Sequence, residues 1–64
     1  MLQLQVYYPG EDGARARWNA PQRAHAEALV PQLLHNHPGC ERIVVKRNTD
    51  YLFTVDASGN RSQP

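Results

Sequence analysis

A second cysteine is missing from this chain, because Cys40 stands alone among its 64 residues. An internal disulfide is excluded, and with it the stapled secreted scaffold on which many chains of this size rely, so a reducing cytoplasm fits best. Long apolar runs are missing too. The opening Met1-Leu2-Gln3-Leu4-Gln5 alternates in polarity instead of placing a basic stretch before an apolar one. Neither an export signal nor a membrane-spanning segment is therefore expected.

Neither sign of charge is in excess: seven Lys and Arg stand against six Asp and Glu, a net charge of +1 with neutral histidines. Bulk charge therefore selects no partner, and any electrostatic function must come from where the cations fall on the fold. Size excludes a second domain and a deep core, since a chain this short buries roughly 60% of the surface its unfolded form exposes. The expected organisation is one domain over residues 1–56 and a flexible tail over 57–64, which has no large apolar residue. No repeat or low-complexity block is present.

What is present is strand-like alternation. Leu2, Leu4 and Val6 alternate with Gln3, Gln5 and Tyr7, the period of a strand with one wet face. Pro9-Gly10-Glu11-Asp12-Gly13 makes a turn, and Ala14-Arg15-Ala16-Arg17-Trp18 alternates again, predicting a hairpin over residues 2–18 with Trp18 in the core. Asn19 followed by Gln22, with Pro21 between them, resembles a capping box that starts a helix. Ala26, Leu29, Val30 and Leu33 then form an apolar stripe, edged by Leu34, with His25, Gln32 and His35 opposite. Pro31 interrupts that pattern and should bend or split the helix. Asn36-His37-Pro38-Gly39 ends it.

A second hairpin follows: Arg42 to Arg47, a turn at Asn48-Thr49-Asp50, and Tyr51 to Val55. Ile43, Val45, Tyr51, Phe53 and Val55 are assigned to its inner face. The order β-β-α-β-β predicts an α+β domain, a four-stranded, mainly antiparallel sheet with one helix packed on one face. Two layers leave the other face open.

Reading the opposite parity places Gln3, Gln5, Tyr7, Arg15, Arg17, Arg42, Val44, Lys46, Leu52 and Thr54 on that open face, without an acid. Tyr7, Arg15, Arg17, Arg42 and Lys46 are the candidate partner-binding residues. Guanidinium groups grip phosphates or carboxylates, and a tyrosine on a sheet can stack on a base. Ordinary solvation explains cations on an outer face equally simply, because their stems shield Val44 and Leu52 from water. The functional expectation is a non-enzymatic binding module for an anionic partner, nucleic acid or an acidic protein surface, with no cofactor and no small-molecule substrate.

Two alternatives accompany it. The first is a homo-oligomeric interaction or inhibitor protein, a homodimer built through the open face, a sheet edge or the Ala24 and Ala28 flank of the helix. The second is a small metal site at His35, His37 and Cys40. Imidazole and thiolate suit zinc, but the set lacks paired ligands, and histidines at a helix exit ordinarily bond free carbonyls. Cys40 beside a histidine resembles a nucleophile and base, yet so thin a domain has little room for a cleft.

Overall fold

The computed structural model describes residues 1–62. They form β1 (Leu2–Tyr7), β2 (Ala16–Ala20), α1 (Arg23–Asn36), β3 (Arg42–Arg47), β4 (Asp50–Asp56) and β5 (Arg61–Ser62). The strands make one antiparallel sheet in the order β2-β1-β3-β4-β5, with α1 across one face. This is the expected α+β fold with a fifth strand.

Residues opposite one another in neighbouring antiparallel strands share a face of the sheet. The pairs Leu4 with Val45, Val6 with Ile43, and Val45 with Phe53 therefore line one apolar surface, and all five are fully buried. Ala26, Val30 and Leu33 of α1 cover it, with Leu29 and Leu34 packed alongside, as the stripe predicts. Cys40 enters the same core.

Four local expectations need correction. The capping box does not form: Asn19 pairs with Gln3 inside β2, so α1 starts only at Arg23, and its N-cap Gln22 makes no side-chain bond. Trp18 shares the inner face with Leu4 but sits on an edge strand, where it stays 48% exposed. Tyr51 leaves the inner face because the β3–β4 register shifts after Val45, setting Tyr51 opposite Lys46 and 55% exposed. A bulge of this kind breaks the two-residue alternation on which the assignment rests. Of the two outcomes expected at Pro31, splitting does not occur, because α1 runs unbroken past it.

Within the segment expected as a tail, the chain makes a turn and a fifth strand. The Asp56 carboxylate accepts the Ser58 and Asn60 N–H groups at 2.9 Å each, Gly59 takes a positive φ of 87°, and Arg61–Ser62 then pairs with β4. Gln63 and Pro64, the end of the expected tail, lie outside the described residues.

Two substitutions check this packing by urea unfolding. Phe53→Ala should cost about 3–5 kcal/mol, enough to unfold a domain this thin. Pro31→Ala should raise stability by about 1–3 kcal/mol, because Pro31 is exposed and alanine restores the bond to the Glu27 carbonyl.

Candidate partner-binding face

The open face is built around β1. Register pairs set Gln5 beside Arg17 on one side and Val44 on the other, Tyr7 beside Arg42, and Gln3 beside Asn19 and Lys46. Four of the five candidate residues, Tyr7, Arg17, Arg42 and Lys46, therefore share one surface. Tyr51 joins them through the bulge, its ring centroid 5.2 Å from the Lys46 ammonium.

A polar chain crosses this surface. The Arg42 guanidinium lies 4.4 Å from the Tyr7 ring centroid, the Tyr7 hydroxyl donates to Gln5 Oε1 at 3.0 Å, and Gln5 Nε2 donates to Gln3 Oε1 at 2.9 Å. Arg42 also pairs with Glu41. Asp56 stands opposite Arg42 in register, so the face carries an acid, against the expectation of none, because β4 runs one residue past Val55 and Asp56 has the parity of Thr54. That carboxylate is turned into the β4–β5 turn. Val44 is only 5% exposed although no element lies above it among the described residues. Such burial on an uncovered face is what ordinary solvation by long neighbouring side chains predicts.

Arg15 does not belong to this surface. It precedes β2, where ladder parity no longer binds it, and its guanidinium lies 3.8 Å from the Tyr8 ring centroid while pairing with Glu11. The Glu11 bond holds the Arg15 guanidinium above its ordinary value. Tyr8 packs on the core, and its hydroxyl bonds His37 Nδ1 at 3.0 Å. Arg15, Tyr8 and His37 thus lock the β1–β2 loop to the helix exit.

The metal candidates are not brought together. His35 is exposed, His37 is engaged by Tyr8, Cys40 is buried, and no group of three or more metal-capable side chains converges among the described residues. Burial pushes the Cys40 thiol up from its ordinary value, away from the thiolate that ligation or nucleophilic attack needs.

A second charged assembly went unread in the sequence. Glu27 accepts from Arg23 at 3.1 Å and from Arg61 at 3.0 Å, and both guanidinium groups lie over the Phe53 ring, at 5.2 and 4.3 Å from its centroid. The i, i+4 spacing of Arg23 and Glu27 signals half of it. The Arg61 half depends on β5.

Comparison with family models, curated proteins and solved structures finds no match.

Arg23, followed by Arg61, holds the Glu27 carboxyl below its ordinary value. Its stabilising contribution is therefore present above the ordinary carboxylate range and is lost as pH falls through the lowered folded value. An NMR titration should place the Glu27 midpoint below that of an unpaired glutamate. Arg61→Ala should raise it part of the way and Arg23→Ala further.

Proposed function

We propose that this chain is a small non-enzymatic binding module of the cytoplasm that takes an anionic partner on its open sheet face. Single-stranded nucleic acid is the first reading and an acidic protein surface the alternative. The observation that carries it is the juxtaposition of Tyr7, Arg17, Arg42 and Lys46 across three adjacent strands.

The chemistry is that of a platform and not of a pocket. Arg17 makes no ion pair and lies on no ring among the described residues, so its guanidinium is available to a phosphate or carboxylate. Arg42 and Lys46 rest on tyrosines, which keeps their charge at the surface and lowers the entropy lost on binding. Gln3, Gln5 and Asn19 add amides beside them, able to donate to or accept from a base edge or peptide. No helix among the described residues is long and apolar enough to cross a membrane.

Titration of a labelled single-stranded oligonucleotide against salt tests this reading. Neutralising about three phosphates on a single strand gives a slope of about −2 in log K against log salt. The double reversal Arg17→Glu with Lys46→Glu should abolish binding. Retention of polyglutamate but not of the oligonucleotide selects the alternative, and no binding to either at low salt ends the proposal.

A further inference from the structure

β2 is an outer strand, and the hydrogen bonding of β1 shows which of its backbone groups are unused. The Val6 carbonyl accepts from Arg15 N–H at 2.8 Å, toward β2, while the next carbonyl, Tyr7, accepts from Glu41 N–H at 2.8 Å, toward β3. Alternate residues of a central antiparallel strand bond to alternate sides, with N–H and C=O pointing the same way. Leu2, Leu4 and Val6 therefore bond to Ala20, Trp18 and Ala16, their partners in register. The backbone groups of the intervening Arg17 and Asn19 therefore point away from β1, in the plane of the sheet, at its open edge, where the ladder offers them no partner.

Beside that bare edge stands Trp18, 48% exposed on the helix-bearing face. Leu29 lies on the same flank of α1, about opposite on the helical wheel to Arg23 and Glu27, which reach over Phe53 and to Arg61. An exposed indole thus stands on the very strand whose outer edge is open. Neither proline nor lysine, the usual guards of an edge, occurs within β2.

We propose that a second copy of this chain pairs with this edge, β2 against β2 in antiparallel register about a two-fold axis at Trp18, joining two sheets into one. Charge chooses this register. Centred on Trp18, each Arg17 faces the other copy's Asn19, both with outward N–H and C=O groups, and Ala16 faces Ala20. Centred on Arg17, two guanidinium groups would stand opposite each other, which is destabilising. Centred on Asn19, Arg17 would meet Pro21, which has no N–H to donate. The two-fold axis runs perpendicular to the sheet, so both helices lie on one face and the two indoles pack between them. Such a contact is isologous and closes at two copies.

Sedimentation equilibrium and amide exchange on the unaltered chain test this. Apparent mass should rise with concentration from 7.3 kDa toward twice that value. Exchange at Arg17 and Asn19 should slow by about tenfold or more over the same range, as it does for newly bonded amides. Arg17→Pro or Asn19→Pro removes an outward N–H and no bond to β1, at a position where edge strands tolerate proline, so either should keep the chain folded and monomeric, and Asn19→Pro does so with the Arg17 guanidinium retained. Lys46→Glu, two strands away on β3, should leave the dimer mass unchanged even where it weakens an anionic ligand. A monomer at every concentration, unprotected Arg17 and Asn19 amides in a dimer, or a dimer that survives both prolines would each overturn the pairing.

Discussion

One short helix has to roof a five-stranded sheet, and most of what is unusual in this molecule follows from that mismatch. Strands spaced about 4.8 Å apart make a sheet about 19 Å across between its outer members, whereas a helix with its side chains is about 10 Å wide. α1 approaches β1 and β2 most closely, so the β3–β4 side of the apolar face needs other cover. Ala16 and Ala20 keep the β2 side low. On the far side the cover consists of charged groups, with Arg23 and Arg61 laid over Phe53 and joined through Glu27.

This gives the cations a structural task before any functional one. Arg15, Arg23, Arg42, Lys46 and Arg61 each lie over an aromatic ring, leaving Arg17 and Arg47 of the seven. A guanidinium on a ring keeps its N–H edge free, so stacking is compatible with gripping an anion. It also means that Arg42 and Lys46 have a reason to exist without a partner. Arg17 has no such reason, and it is the cation on which the two interaction proposals meet.

The inner face was legible because period-2 alternation survives wherever strands pair without interruption, as at Leu2, Leu4, Val6, Ile43, Val45 and Val55. Legibility failed where pairing set the answer. Tyr51 changed sides through a register shift that no local pattern marks, and Arg15 left the open face because β2 begins after it. Asn19 carried a helix-start signal, but its place in the ladder beside Gln3 prevailed, tertiary pairing overriding local propensity. β5 has no apolar residue at all. It stands on the Asp56 turn and on Arg61 reaching Glu27, a contact 34 positions away in the chain. At the open face, parity united Tyr7, Arg17, Arg42 and Lys46 correctly, since those residues lie within uninterrupted ladders.

The open face and the bare edge share β2, and this makes them interdependent. Arg17 presents its side chain to the open surface while its backbone N–H points away from β1 at the sheet edge. If two copies join there, both open faces become one surface with the two Arg17 side chains beside the axis. A polyanion spanning the axis would then bind the pair more tightly than a single copy, and by linkage would strengthen the pairing by the same factor. Two contacts of modest strength would reinforce each other without either needing a large interface. The thinness that leaves this domain without a third layer is what exposes the surface and the edge through which it would associate.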